Sequence, residues 1–180
     1  QKYDEKKEIA RCVASLILSH NSLIIDSGST CASCCAAINL MPSKDIFTVS
    51  LSAFEQLDGN LHKVFLTPGK KREKNQSIIG LWTEEYLDKI HVDVCILGTS
   101  GLFKADGPTC HSYHELSTKK KMIEKSDFVF VVADSSKFQE KGLHLVCGWE
   151  MIDGVITDHH LSMDIYEKLS KKVPVYFGEE

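Results

Sequence analysis

A chain of 180 residues with 43% apolar side chains is long enough for one compact domain with a buried core. Its 21 basic and 25 acidic side chains leave a net charge of −4, which gives no general attraction for nucleic acid. No apolar run approaches the roughly 20 residues that span a bilayer, so we expect no membrane partner. The chain begins at Gln1 without Met, and we expect it to be a piece of a longer protein.

Helices alternate with short apolar strands along the chain. Apolar residues at helical spacing predict the helices, and short runs rich in β-branched and aromatic residues predict the strands. We expect, in order, a helix over 4–19, a strand over 22–25, a helix over 30–40, a strand over 45–51 turning into a helix at Ser52, a strand over 62–67, a basic loop over 68–76, a helix over 82–90, a strand over 92–98, a helix over 115–126, strands over 128–133 and 154–158, a helix over 162–172 and a strand over 173–178. This order predicts an α/β fold, with a mainly parallel, open, Rossmann-like sheet and helices on both faces.

Polar clusters follow several of the predicted strands. They are residues 26–30, 48–50, 98–101, 134–137 and 158–160. The carboxyl ends of parallel strands meet at one edge of a sheet, and open α/β sheets bind ligands at that edge. We therefore expect these clusters to line one site.

The stretch Asp26-Ser27-Gly28-Ser29-Thr30 lies between a predicted strand and a predicted helix. Gly28 permits a sharp turn that leaves backbone N–H groups pointing outward. The hydroxyl groups and the positive end of the next helix add to such a nest for an anion. The alternative is that Ser29 or Thr30 simply caps the helix. Both interpretations fit the motif taken alone.

The segments after later strands offer further groups for a ligand. Gly98 and Gly101 allow close approach of a ligand to the backbone, although an ordinary glycine-rich loop has the same composition. Lysines 119–121 fan around a predicted helix, so at most one or two can face the sheet edge. Lys137 can meet a phosphate or a carboxylate, while capping and a surface salt bridge explain residues 133–138 equally well.

The 7 cysteines are irregularly spaced. Cys31 and Cys34 form a C-x-x-C without a second pair at zinc-site spacing, and we favour small buried thiols over redox or metal chemistry. Unpaired thiols fit a reducing cytoplasmic location. His111 and His114, like the pair 159–160, supply too few ligands for a metal site. A Ser-His-Asp hydrolase is not indicated either, because no serine lies in a G-x-S-x-G motif. We predict no metal, no cofactor and no catalytic residue.

Six short motifs follow one another along the chain in a specific order and at specific spacing. They are DSGST (26–30), FTVSLSAFEQL (47–57), VDVCILGTSGL (92–102), HELSTKKK (114–121), VVADSSKF (131–138) and GVITD (154–158). From about residue 6 to residue 178 the chain resembles the effector-sensing C-terminal domain of DeoR-type transcriptional regulators. The resemblance implies a fold shared with ribose-5-phosphate isomerase and a repressor of sugar-metabolism genes.

The same resemblance implies the partners of the chain. A phosphorylated sugar would be the effector, and the protein would be a homo-oligomer, a dimer or a tetramer. Residues 1–180 would form a single sugar-phosphate-sensing domain. The N-terminal helix-turn-helix domain of the family is absent from this chain, and DNA would be contacted only through that missing domain.

The resemblance also implies which residues bind the effector, with the phosphate on residues 27–30. The implied ligand-binding residues are Asp26, Ser27, Gly28, Ser29, Thr30, Thr48, Ser50, Gly98, Ser100, Gly101, Lys119, Asp134 and Lys137. Two positions depart from the family pattern: Val49 replaces the usual Asn, and Pro68 replaces the first Gly of the usual Gly-Gly pair. Val49 removes two hydrogen-bond donors and an acceptor from beside the expected sugar.

The main alternative is a sugar-phosphate isomerase on the same scaffold. Such isomerases carry a DGADE motif where residues 98–102 read GTSGL here, so that Gly98 and Gly101 replace two aspartates. The isomerases also use a helix glutamate as a base, and the corresponding position in this chain falls within lysines 119–121. General acid–base catalysis requires a proton acceptor within hydrogen-bond reach, so we expect a site that binds without chemistry. A purely structural oligomerisation domain is the third class, disfavoured because polar clusters are costly to bury unpaired.

Overall fold

The structure, a computed structural model, describes residues 2–178. The domain predicted over 1–180 also includes Gln1, Glu179 and Glu180, which lie outside the described residues. None of the helices within the described part of the chain combines the length and the apolar composition needed to cross a bilayer.

Strands and helices alternate along the chain. The strands are β1 (Ser22–Ile25), β2 (Asp45–Thr48), β3 (Lys63–Leu66), β4 (Lys70–Arg72), β5 (Ser77–Ile79), β6 (Val92–Leu97), β7 (Thr109–Cys110), β8 (Ser126–Val132), β9 (His144–Leu145), β10 (Gly154–Thr157) and β11 (Val175–Phe177). The α-helices are α1 (Tyr3–Ile17), α2 (Ser29–Ser33), α3 (Cys35–Ile38), α4 (Leu51–Gln56), α5 (Leu81–Leu87), α6 (Tyr113–Glu124) and α7 (Met163–Ser170), and short 3₁₀ turns cover Lys74–Gln76, Ser135–Gln139 and Trp149–Met151.

The main sheet is parallel throughout. Within residues 2–178 it has seven strands in the order β11-β10-β8-β6-β1-β2-β3. The register pairs Leu23 of β1 with Ile46 of β2 on one side and with Val94 of β6 on the other. The predicted fold class, a parallel α/β sheet with helices, is confirmed.

Alternate residues of the central strands face opposite sides of the sheet and build two cores. Ile24 and Cys95 belong to the core under α5, α6 and α7, which includes Leu87, Met122 and Leu169. The intervening residues of the same strands belong to the core under α1 to α4. That second core contains Leu23, Ile25, Val94 and Ile96 from the sheet and Ile9, Val13, Ile17, Cys31 and Ala53 from the helices. The apolar runs of the central strands are nearly uninterrupted because both faces of these strands are buried.

The helix predicted over 30–40 is instead two short helices, α2 and α3. The carbonyl of Thr30 accepts from the side chains of Ser33 (2.6 Å) and Cys34 (3.4 Å). The Cys34 amide donates three residues back, to Cys31, at 3.1 Å. Side chains that hydrogen-bond to the backbone in this way compete with the helical ladder, which accounts for the break.

The basic loop predicted over 68–76 contains a strand of a hairpin. β4 pairs antiparallel with β5, with Lys70 opposite Ile79. Asn75 and Gln76 in the connecting turn have positive φ, of 64° and 47°. The run of lysines and arginine carries no strand periodicity, so sequence pattern did not reveal the hairpin. The pairing of β7 with β9 was missed for the same reason, since each has only two residues.

Candidate functional site

The strand order reverses between β1 and β6. The chain runs from β1 outward to β2 and β3, then returns to β6 on the other side of β1 and continues toward β11. A crevice forms at such a switch point, outside the carboxyl ends of the two central strands. Residues 26–30 and 98–101 follow these two strands and therefore flank the crevice.

Asp26 ties the two central loops together beneath the crevice. Its carboxylate is 2% exposed and accepts from the amides of Ser27 (2.7 Å) and Gly98 (2.9 Å), and from Nζ of Lys119. Lys119 also donates to the Gly98 carbonyl at 3.3 Å. Burial alone would lower the pKa of Lys119, but the charge and hydrogen bond of Asp26, with a contribution from Glu115, raise it above its ordinary value. Lys119 therefore stays a cation under the crevice.

The turn after β1 requires glycine for its backbone conformation. Gly28 has a φ of 108°, which other residues adopt only with strain. A Cβ at Gly28 would meet no atom within 4 Å, so crowding is not the reason for glycine here. The open space beside Gly28 is the crevice itself. Helix α2 begins at Ser29, and the first N–H groups of a helix have no acceptor within it.

The crevice is a cleft of about 210 Å³. It brings together the turn after β1, the loop after β6, α6 and the segment after β8. The predicted site residues that line it are Ser27, Gly28, Ser29, Thr30, Gly98, Ser100, Lys119 and Lys137. Three of the five predicted clusters, 26–30, 98–101 and 134–137, thus share one cleft at the expected edge of the sheet, whereas no residue of 48–50 or 158–160 lines it.

Asp26, Thr48 and Ser50 were also predicted to contact the ligand, but the structure places them behind the lining. The Asp26 carboxylate is occupied by two amides and a lysine. The Thr48 hydroxyl donates to the Ile25 carbonyl at 2.8 Å and accepts from the Ser50 amide at 3.0 Å. The Ser50 hydroxyl accepts from the amide of Ala53 (3.1 Å), capping α4. These polar groups satisfy the backbone of the strand ends.

Gly101 and Asp134 were predicted as ligand contacts as well, and they too lie outside the lining of the cleft. A Cβ at Gly101 would lie 2.1 Å from the Glu140 carbonyl oxygen, so glycine is needed there for close backbone packing. The Asp134 carboxylate accepts from the Ser136 amide at 3.1 Å and from Lys2 Nζ at 2.9 Å. Asp134 therefore caps the 3₁₀ turn after β8 and holds the start of α1.

Val49 and Pro68, the two expected departures from the family pattern, do not line the cleft either. Val49 lies beneath it. It is 2% exposed and borders a separate void of about 10 Å³ beneath it. Asp26, Ser77 and Lys119 lie around the same void. The volume is close to that of one water-sized probe, and the surrounding groups are polar enough to hold a water molecule.

Several residues that line the cleft were not predicted as site residues from the sequence. Lys74 and Asn75 reach the cleft from the hairpin of β4 and β5, which was predicted as a plain loop. Glu115 was noted only as part of a motif with Lys119, and His111 only as a candidate metal ligand. Glu140 follows the 3₁₀ turn after β8 and gave no signal of its own.

The site was predicted to bind without chemistry, and Glu115, Glu140 and His111, which can accept a proton, are among the residues that line the cleft. The two carboxylates are held by protein cations. Glu115 accepts from Arg72 at 2.9 Å and from the Ser77 hydroxyl at 3.2 Å, and Glu140 accepts from Lys137 at 2.9 Å.

Cys31 also lines the cleft, but its side chain is fully buried. Burial first, and then the charge of Asp26, raise the pKa of its thiol well above the ordinary value. Cys34 and Cys35 are buried too, and burial raises the pKa of Cys35 to about 12. The three thiols are therefore neutral core groups. In the described part of the chain, no group of three or more His, Cys, Asp or Glu side chains is placed to hold a metal ion.

Comparison with known proteins identifies the family. The family model for the DeoR C terminal sensor domain matches residues 1–159. The chain belongs to this family. The glycerol-3-phosphate regulon repressor of Escherichia coli (strain K12) is 30% identical over 177 residues, covering 90% of this chain and 70% of that protein. The transcriptional repressor AccR of Agrobacterium fabrum is 30% identical over 178 residues, covering 95% of this chain and 68% of that protein.

Solved structures show the same fold at low sequence identity. Ribose 5-phosphate isomerase A from Methanocaldococcus jannaschii has a TM-score of 0.52 and 15% identity, over 76% of this chain and 55% of that chain. The β subunit of eIF2B from Chaetomium thermophilum has a TM-score of 0.55 and 9% identity, over 84% of this chain and 48% of that chain. These likenesses concern the fold alone.

The family membership confirms the resemblance drawn from the motifs. The chain is the effector-binding sensor domain of a DeoR-family transcriptional regulator and not an enzyme. A regulator of this family has an effector and DNA as its partners.

Proposed function

We propose that this domain senses a phosphorylated sugar on behalf of a repressor of sugar-metabolism genes. One observation carries the proposal. The Gly28 turn, the loop after β6 and two lysines from other elements, Lys119 and Lys137, converge on one cleft of about 210 Å³. Hydroxyl groups, turn amides and lysines are the groups that bind phosphate in proteins.

The phosphate lies on residues 28–30 in this proposal. Ser29 and Thr30 contribute hydroxyl donors, and the first amides of α2, which have no acceptor within the helix, belong to the same turn. The amide of Ser27 does not contribute, because it donates to Asp26 at 2.7 Å. The sugar then extends toward Ser100 and Lys137, which line the cleft on the other side of the switch point.

A relative supports the phosphorylated class of effector. The name of the Escherichia coli repressor, which is 30% identical to this chain, refers to glycerol-3-phosphate. A phosphate ester on a short polyol has the charge and the hydroxyl groups that the cleft is able to bind. The cleft alone does not select among sugars of three to six carbons.

The proposed regulation is differential binding. The effector stabilises one arrangement of the domain, or of a homo-oligomer (dimer or tetramer), and an N-terminal helix-turn-helix domain of the full-length cytoplasmic protein transmits the change to DNA. A ligand shifts such an equilibrium only by the difference in its affinity for the two states.

A thermal-shift screen tests the proposal. Sugar phosphates of three to six carbons are compared with their unphosphorylated sugars, and only phosphorylated compounds are expected to raise the Tm. Ligand at 100 times its Kd stabilises by about 2.7 kcal/mol. Ser29→Asp places a carboxylate in the phosphate position and is expected to abolish the shift. Ser117→Asp adds the same charge on an exposed position of α6 and is expected to keep it. An undiminished shift in Ser29→Asp would rule out the phosphate position.

A further inference from the structure

Helix α1 reaches the cleft through Lys6. The Nζ atom of Lys6 donates to the hydroxyl of Ser29 at 3.0 Å, and Ser29 lines the cleft. Lys6 itself lies outside the cleft lining. A single side chain from the first turns of the chain therefore contacts the proposed phosphate position.

Lys6, like Lys74 of the hairpin, differs in charge balance from three other lysines around the cleft. Lys119 pairs with Asp26, Lys137 with Glu140 and Lys2 with Asp134. No carboxylate oxygen of the described residues lies within 4.0 Å of Nζ of Lys6. Its positive charge is thus turned toward Ser29, and no carboxylate of residues 2–178 lies within ion-pair distance of it.

The first turns of α1 contact other strand-end loops besides the turn after β1. Lys2 donates to Asp134 at 2.9 Å, at the loop after β8. Glu8 contacts Nδ1 of His159, and Oε1 of Glu5 lies 3.7 Å from Nδ1 of His160, both at the loop after β10. The stripe of α1 that carries Lys6 continues into the core, because Ile9, Val13 and Ile17, which follow Lys6 at helical spacing, are fully buried.

We propose that Lys6 is a ligand of the effector's phosphate and couples its binding to the first turns of α1. This inference rests on the proposed function, since it places the phosphate at Ser29. A phosphate oxygen that accepts from the Ser29 hydroxyl lies within about 6 Å of Nζ, the length of two hydrogen bonds, and a rotation of the lysine side chain closes that gap. The dianion supplies the negative charge that the described surroundings of Lys6 lack.

The coupling has a direct physical origin. Lys6 gains a hydrogen bond to an oppositely charged group when the phosphate is bound, and such a bond is stronger than its present bond to the uncharged hydroxyl of Ser29. The effector therefore favours conformations in which the start of α1 stays against the cleft. A segment that precedes α1 in a longer regulator would feel this restraint within one helical turn of Lys6.

Affinity measurements on the 180-residue chain test the ligand role. The probe is inorganic phosphate, titrated at constant ionic strength and followed by NMR shifts at residues 28–30. Lys6→Ala is expected to weaken binding about tenfold, or about 1.4 kcal/mol. Lys6→Arg should retain most of the affinity. Lys7→Ala is the matched control, because Lys7 is exposed and lies over the Tyr3 ring at 4.2 Å.

Hydrogen exchange tests the coupling on the same proteins. Phosphate is expected to slow exchange of the amides of residues 6–9 in the wild-type chain and in Lys7→Ala, but not in Lys6→Ala. Equal affinities and equal protection in the two alanine variants would overturn the inference and leave the proposed function standing. A wild-type chain whose shifts at residues 28–30 do not respond to phosphate would overturn both.

Discussion

Two opposite charges are buried side by side at the centre of this site. Asp26 is 2% exposed and Lys119 is 5% exposed. Removing either partner would leave the other charge in a low-dielectric position without compensation. The pair also links the loops after β1 and β6, because the Asp26 carboxylate accepts from the Gly98 amide at 2.9 Å. Asp26 thus shapes the cleft without lining it.

Alanine substitutions of two neighbouring lysines in α6 distinguish the stabilising effect of the Asp26–Lys119 pair from a change in helix propensity. Lys119→Ala is expected to destabilise the domain by about 3–5 kcal/mol, because it leaves the Asp26 carboxylate buried and unpaired. Lys120→Ala, one residue further on the exposed side, is expected to change stability by less than about 0.5 kcal/mol. Urea unfolding at pH 7 measures both free energies. Equal destabilisation by the two substitutions would contradict the account.

The lysine run illustrates what sequence reveals at the residue scale. Helical geometry predicted that at most one or two of lysines 119–121 face the sheet edge. The structure places Lys119 in the cleft, leaves Lys120 exposed and pairs Lys121 with Asp88 at 2.8 Å. In contrast, nothing in the residue types distinguished Thr48, whose hydroxyl bonds to the Ile25 carbonyl, from a hydroxyl available to a ligand.

At the scale of elements, the amino ends of β1 and β6 are joined by a carboxylate at the edge opposite the cleft. Asp93 accepts from the amides of Asn21 (2.7 Å) and Ser22 (3.3 Å), and its own amide donates to the Ser22 hydroxyl at 2.9 Å. The Asn21 amide first, and then the Ser22 amide, lower the pKa of Asp93 below its ordinary value. This contact stabilises the pairing of the two strands that flank the cleft.

The pH dependence of stability follows from that lowered pKa. A carboxyl group whose pKa is lower in the folded state stabilises fully above its unfolded pKa, about 3.9, and loses the contribution as the pH falls through the folded pKa. Asp93→Asn is expected to destabilise by about 1 kcal/mol at pH 7 and by less below pH 4, because the amide oxygen accepts more weakly than a carboxylate. Urea unfolding across this pH range measures the difference. A constant difference at all pH values would contradict the assignment.

Helices and strands were predictable where the pattern of apolar residues within the element itself determines its structure. Short runs of apolar residues predicted the seven strands of the main sheet, and helical periodicity predicted α1 and α6. The break between α2 and α3 depends on how the side chains of Ser33 and Cys34 bond to the Thr30 carbonyl. The hairpin of β4 and β5 depends on tertiary support, in which Arg72 bonds to Glu115 of α6 at 2.9 Å. Neither effect has a periodic signature.

At the scale of the whole molecule, the parallel sheet explains why the site was partly visible in the sequence. Each strand–helix crossover returns the chain to the same edge, so polar residues after separate strands had to meet. Which of them line the cleft depends on the packing of loops that no pattern encodes. The hairpin that carries Lys74 and the helix that carries Lys6 both approach this edge from elsewhere in the fold.

The position of the bound phosphate tests the central claim most directly. The measurement is a crystal structure of residues 1–180 with the sugar phosphate that gives the largest thermal shift. The account predicts phosphorus density at the amides of residues 28–30, with the Ser29 hydroxyl within hydrogen-bond distance. A phosphate bound elsewhere, for example in the apolar groove of about 470 Å³ between α7 and residues 102–105, with the turn at Gly28 vacant, would contradict it.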